Sequence, residues 1–365
     1  MPSTEGDPLS SAERRRQTAR IGVAFGIGAA LAYTWTNILL RRAAGPTDLG
    51  WNCWATCLKA VPSSLAAWTL IILRWSHGQR GLDGWKSFLW LTLNGFFMQF
   101  GGNISFQYAM SYGGLALTVP MCFCTLILSG ALGGRLFLKE RIGQRTMIAM
   151  WLLIAAVIIL SQGADAAASK MRGTATFADM ARAIVFSGLS GLGYGFGGVS
   201  IRRAVTGTGT IASTIAPLAT IGIIGPGLIA WNEMGPSGLA AVPWEMNATL
   251  LVAGTFNAIG FFFCAAAMAR LPLVRVNLIN ASQTAMCALG GVVFYHEPAT
   301  WWIGVGTALT ILSLGILGTQ DHHSPDADTA LIMDAEQPQP PESFAPGVQL
   351  EQALAPSAIP LKSEA

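Results

Sequence analysis

Gln99, Asn103 and Gln107 recur every four residues in an otherwise apolar stretch, so on a helix they share one face. Asn277, Asn280 and Thr284 do the same further along, with Gln283 at the edge of their stripe. Thr118, Cys122, Thr125 and Ser129 form a third such face, and Tyr33, Trp35, Asn37, Tyr194 and Asn257 complete the candidate set. Amides, hydroxyls and aromatic rings of this kind bind small polar solutes rather than cleave bonds. In hydrocarbon they are costly and turn towards the bundle interior or a water-filled cavity. Their bland use is helix–helix hydrogen bonding, each contact contributing about 0.6–2 kcal/mol.

One full charge, Lys59, lies well inside an apolar stretch. It sits eight residues past Trp51, about 12 Å along a helix. Its stem can snorkel towards the headgroups, or its ammonium can serve as countercharge for an anionic group on a ligand. No Asp or Glu occupies the middle of an apolar stretch, so the usual buried carboxylate proton relay is not visible. Glu140, Glu297 or the solute itself is left to carry a coupling proton.

Other chemistry is poorly served. Metal or acid–base catalysis needs clustered His, Asp or Glu, and the four histidines, His77, His296, His322 and His323, all fall outside the apolar stretches. No catalytic residue, metal site or cofactor is therefore expected. The six cysteines, Cys53, Cys57, Cys122, Cys124, Cys264 and Cys287, read as small apolar filler. The glycines of "GLSGLGYGFGG" (188–198) have no "GK[ST]" after them; spaced as Gly191/Gly195 and Gly193/Gly197, they let helix backbones approach closely in lipid.

The elements that hold these residues follow from composition. Of 365 residues 52% are hydrophobic and 11% charged, against about 25% charged in soluble domains; mean hydropathy is +0.49. Runs long enough to cross a bilayer, about 20 residues, recur at 21–40, 51–73, 86–109, 115–138, 146–162, 180–201, 209–231, 248–269, 273–295 and 301–318. The expected class is an all-α polytopic membrane protein with ten transmembrane helices. Residues 1–20 are polar and end in Arg14, Arg15, Arg16 and Arg20, which reads as a basic cytoplasmic segment and not a cleavable signal. From Asp321 onward eight acidic residues, one Lys and a Pro-rich run predict a disordered acidic tail over 319–365. With ten spans, fifteen Lys or Arg fall on the side of the termini and five on the other, so both termini are expected in the cytoplasm.

The chain also repeats itself. "ALGGRLFLKE" (131–140) and "ALGGVVFYHE" (288–297) agree at six of ten positions, and this offset of 157 also pairs Ala109 with Ala266 and Leu160 with Leu317. At offset 161, Phe25, Leu31, Tyr33, Arg41, Arg42 and Ala43 match Phe186, Leu192, Tyr194, Arg202, Arg203 and Ala204. Two halves, 21–162 and 180–318, are joined by a polar linker over 163–179. Five spans per half is an odd number, so the second half enters the membrane the opposite way, a 5+5 inverted-topology repeat.

Halves of five spans ending in "LGGRLFLKERIGQR…LLIAAVIIL", with a Glu after the fourth span, resemble the EamA repeat of the drug/metabolite transporter superfamily. The resemblance covers nearly all of 21–318 and is best at 109–162 and 266–318. "FGGNISFQYAMSYGGLALTVP" (100–120) is also similar to the rhamnose–proton symporter branch. The superfamily implies a central cavity lined mainly by spans 1, 3, 4, 6, 8 and 9, and no ATP-hydrolysing domain. The expected function is secondary transport of a small organic solute, amino-acid-like or otherwise small and polar, with export or exchange favoured. The alternatives are ion-coupled sugar uptake and a non-transporting membrane scaffold. The expected partners are the lipid bilayer of an inner or plasma membrane, the solute and a coupling ion, H+ or Na+, with no nucleic acid.

Overall fold

In lipid a backbone can satisfy its N–H and C=O groups within a single segment only as a helix, and long apolar runs impose that solution here. The computed structural model describes residues 11–43, 48–82, 84–172, 177–207, 209–296 and 299–318. Residues 1–10, linker residues 173–176, Glu297 and the tail from 319 lie outside them. The described elements are all helical: α1 (Ser11–Arg42), α2 (Leu49–Ser76), α3 (Trp85–Phe97), a π-helical segment (Met98–Ile104), α4 (Ser105–Phe137), α5 (Gln144–Arg172), α6 (Phe177–Thr206), α7 (Ile211–Ala240), α8 (Trp244–Met268), α9 (Leu273–Ala281), α10 (Gln283–Tyr295) and α11 (Trp301–Gly318). Helix α5 runs on to Arg172, so the polar linker begins as helix.

Among the described residues seven helical stretches are long and apolar enough to cross a membrane: Arg16–Arg42, Leu49–Ser76, Leu117–Phe137, Ala178–Thr206, Ile211–Ala240, Trp244–Met268 and Leu273–Tyr295. The sequence led us to expect ten. The expected spans at 146–162 and 301–318 fall on shorter apolar helices, Gln144–Leu160 and Trp301–Leu317. The one expected at 86–109 is divided among α3, the π-helical segment and the start of α4. Large apolar side chains cover the outer faces: Leu65, Leu228 and Ile311 are 64%, 65% and 66% exposed.

Helix α4 doubles back on itself. Along α6, the residues Phe186, Gly193 and Gly197 meet Tyr108, Gly102 and Met98 in descending order. Gly191, Gly195 and the residue against Gly133, Val199, meet Thr125, Ser129 and Gly133 in ascending order. A straight helix would place Asn103 and Cys122 about 28 Å apart. Yet Asn103 bonds Tyr194 and Cys122 bonds Ser190, one turn apart on α6. The chain therefore reverses near residues 113–117, and α6 lies in the groove between two antiparallel arms.

Glycine is what lets α6 enter that groove. A Cβ on Gly193 would sit 2.6 Å from the Gly102 nitrogen, and one on Gly191 would sit 2.2 Å from the Cys122 carbonyl oxygen. Both neighbours are backbone and cannot swing aside. The expected packing role of this glycine run thus has a definite address.

The two copies of the repeated stretch end alike. Lys139 and His296, 157 residues apart, are the non-glycine residues with positive φ, at 55° and 51°, among the described residues. The left-handed turn at Lys139 lets the Glu140 N–H donate to Gly134 O at 3.1 Å, which folds the Glu140 side chain back towards the helix ends beside it.

Candidate functional site

Nine elements converge on one central cavity of about 130 Å³. Its wall takes Tyr33 and Asn37 from α1, Lys59 and Ser63 from α2, Gln99 and Asn103 from the π-helical segment, and Phe106 and Cys122 from the two arms of α4. Tyr194 comes from α6, Asn257 and Cys264 from α8, Asn277 and Asn280 from α9 and Gln283 from α10. Ala219 of α7 closes the wall beside α2. A cavity of roughly 150 Å³ admits a molecule the size of benzene, so this one suits a solute of a few non-hydrogen atoms.

The π-helical segment explains which amides face inward. One extra residue in a turn rotates the register of the succeeding turns by about 100°. Gln99 and Asn103 lie within that segment and line the cavity, whereas Gln107, one turn into α4, is buried elsewhere. Such segments often mark functional positions in long helices.

Lys59 does not snorkel. It is 4% exposed, and its Nζ donates to Asn103 Oδ1 at 2.5 Å. The same oxygen accepts the Tyr194 hydroxyl at 2.7 Å. Asn103 Nδ2 in turn donates to Gln99 Oε1 at 2.6 Å, and Gln99 Nε2 donates to Leu218 O at 2.9 Å. Every bond in this chain runs in a donor-to-acceptor sense, and it ties α2, the π-helical segment, α6 and α7 together. No carboxylate is among the cavity-lining residues, and no ion pair between described residues includes Lys59.

A second network faces the first. Asn37 Nδ2 donates to Gln283 Oε1 at 2.9 Å, Gln283 Nε2 to Asn280 O at 2.9 Å, and Asn280 Nδ2 to Cys264 Sγ at 3.2 Å. Asn257 Nδ2 reaches Ser63 Oγ at 3.5 Å. Asn277 Nδ2 and Asn280 Oδ1, on residues 5% and 6% exposed, have no hydrogen-bond partner. Buried polar atoms are rarely left so.

Of the fourteen residues singled out from the sequence, the cavity gathers Tyr33, Asn37, Lys59, Gln99, Asn103, Tyr194, Asn257, Asn277 and Asn280. Gln107, Thr118 and Thr284 are buried outside its wall, and Thr125 packs against Gly191. Trp35 is 43% exposed on the outer surface, between Phe256 and Phe294 at ring distances of 6.2 and 5.4 Å. Ser63, Phe106, Phe261, Cys264 and Gln283 line the cavity without having been chosen. Of these only Gln283 carried a sequence signal, at the edge of its stripe. Cys122 and Cys264 are more than filler, since each lines the cavity and contacts a polar side chain.

Contacts around the cavity occur in pairs. The ring of Tyr33 lies on Gly260 and that of Tyr194 on Gly102; a Cβ on either glycine would meet a ring carbon at 2.9 Å. Gly254 packs on the backbone of Lys59, and Gly95, 159 residues earlier, packs on the backbone of Leu218, 159 residues later. Lys59 thus corresponds to Leu218.

At one rim, Arg202 Nε and Glu140 Oε1 form an ion pair at 3.0 Å, with side chains 16% and 14% exposed. The other oxygen, Glu140 Oε2, accepts the Leu273 N–H at 2.9 Å, at the start of α9. Arg202 also donates to Met268 O, at the end of α8. Negative charge at a helix N-terminus and positive charge at a C-terminus both suit the helix dipoles, so this pair clamps four helix ends beside the cavity-lining Ile201 and Met268. At the other end the Tyr295 hydroxyl donates to Ile38 O.

No family model matches the chain, nor does any curated protein sequence. Among solved structures, a crystal structure described only as that of a protein is similar to it, with a TM-score of 0.59 at 14% identity. The alignment covers 86% of this chain and 98% of that one. At that identity the likeness speaks for the fold alone.

Proposed function

We propose that this chain is a secondary transporter that moves a small polar organic solute across a membrane by alternating access. In this reading ten spans form a 5+5 inverted repeat of the EamA type, within the drug/metabolite transporter superfamily. The three spans beyond the seven long ones are Gln144–Leu160, Trp301–Leu317 and the stretch through α3, the π-helical segment and the first arm of α4. Both termini face the cytoplasm of an inner or plasma membrane.

The observation that carries the proposal is a central polar cavity walled by both halves through duplicated contacts: Tyr33 on Gly260 against Tyr194 on Gly102, and twin left-handed turns at Lys139 and His296. Two similar halves pointing opposite ways can exchange conformations, which opens the cavity to each side in turn. A scaffold has no use for such a cavity, and no acid–base or nucleophilic pair in it suggests catalysis. The cavity's small volume and amide-rich lining favour an amino-acid-like metabolite over a sugar; export or exchange is the mode proposed for it.

Counterflow in proteoliposomes tests this. Vesicles preloaded with unlabelled amino acids or sugars should accumulate the matching labelled solute when they contain the protein, and not when empty. Failure of every small metabolite to accumulate would refute the transporter reading, and uptake of a sugar alone under an ion gradient would favour the symporter alternative.

A further inference from the structure

Lys59 presents a problem of charge. An ammonium has three donors; one is spent on Asn103 Oδ1, an amide oxygen with no formal charge. The other lining residues are amides, hydroxyls, thiols and apolar groups. Burying a charge without a partner is costly, and such a charge in a membrane helix is retained where it serves a site. The neighbouring Tyr194 hydroxyl donates its proton to the same amide oxygen, and like the other groups around Lys59 it carries no formal charge. Across the cavity, Asn277 Nδ2 and Asn280 Oδ1 offer a donor and an acceptor with no protein partner.

We propose that Lys59 is the specificity-determining cation of this cavity, and that the solute it selects carries one carboxylate. The carboxylate docks on Lys59 Nζ, whose position is fixed by the bond to Asn103. The uncommitted Asn280 oxygen then receives a donor from the rest of the molecule, an ammonium or a hydroxyl. A single positive charge balances a single negative one, and no arginine fork lines the wall to hold a phosphate. Small zwitterions and hydroxy acids fit that requirement; neutral sugars and phosphate esters do not. This deepens the transport reading and rests on it for the claim that the bound species is cargo.

The test measures thermal stabilisation of the purified full-length protein. The probes are glycine, L-alanine, L-serine and lactate, each beside its primary amide, together with rhamnose and O-phosphoserine. A ligand of the native state stabilises it by RT ln(1 + [L]/Kd), so at equal concentration the tighter binder gives the higher unfolding temperature. At least one carboxylate should stabilise the wild type well above its own amide. Lys59→Met should weaken that binding roughly ten- to hundredfold, the factor for a lost charge-assisted hydrogen bond.

Asn103→Asp keeps the shape of the site and sets a carboxylate against Lys59, so it should abolish the preference even if Lys59→Met folds poorly. The proposal is overturned if no carboxylate distinguishes wild type from both variants. Rhamnose stabilising all three proteins equally would also overturn it, while leaving the transport reading intact. Carboxylate binding without counterflow would do the reverse, sparing the anion site and refuting its role as a cargo site.

Discussion

Substituting Gly193 by Ala tests the packing of α6 between the arms of α4. The new Cβ would lie 2.6 Å from the Gly102 nitrogen and 2.8 Å from the Gly101 carbonyl carbon. Both atoms are backbone, so relief to an ordinary contact requires α6 and the π-helical segment to part by about 1 Å. Overpacking of this kind costs about 1–3 kcal/mol, and the upper figure applies where neither neighbour can rotate away. Alanine returns about 1 kcal/mol through helix propensity, for a net loss of about 2 kcal/mol. Tyr194 is the next residue and would be drawn off Asn103, so ligand binding should weaken as well.

Gly188→Ala on the same helix is the control. Its Cβ would meet nothing closer than Thr125 Cγ2 at 3.8 Å, so the propensity gain of up to about 1 kcal/mol should stand alone. All six cysteines are free and most are buried, so a thiol-reactive dye reports unfolding in detergent. At a few degrees per kcal/mol, Gly193→Ala should lower the midpoint by about 4–8 °C and Gly188→Ala should raise it slightly. Equal midpoints for Gly193→Ala and wild type would refute the close approach and, with it, the reversal inferred for α4.

The geometry sets three further outcomes. Lys139→Gly should stabilise the protein by about 1 kcal/mol, because glycine accepts the left-handed turn without a Cβ penalty; the same dye assay reads it. Glu140→Gln should cost about 2–3 kcal/mol by leaving Arg202 half of its clamp, with the Arg202→Gln loss less than additive in the double variant. Trp35→Leu should leave ligand-induced stabilisation unchanged because its ring lies outside, whereas Asn37→Leu, which breaks the bond to Gln283, should reduce it at least about tenfold.

Much of this architecture was legible because lipid simplifies the code. Apolar run length marks helices, and a polar residue within a run points inward, which is why Gln99, Asn103, Asn277 and Asn280 could be picked out. Trp35 misled because an indole has both an apolar face and a polar edge, and its type does not say which one is used. Lys59 gave no clue to its partner: Asn103 lies 44 residues away, and only tertiary packing turns the ammonium inward. The π-helical segment left no mark in the hydrophobic period, so Gln107 could not be separated from Gln99 and Asn103. Beyond Lys59, the lining from α2 and α7 was missed because Ser63 and Ala219 are small and pass for packing residues.

The correspondence between Lys59 and Leu218 has one more consequence. On the inverted-repeat transport reading proposed above, the solute meets two equivalent docking edges, of which the one at Lys59 carries charge and the one at Leu218 does not. A molecule held by its anionic end would keep that end on α2 whichever side of the membrane the cavity faces, and would cross without turning over. Exchanging the two residues, Lys59→Leu with Leu218→Lys, would then reverse the passenger's heading while leaving the vehicle unchanged.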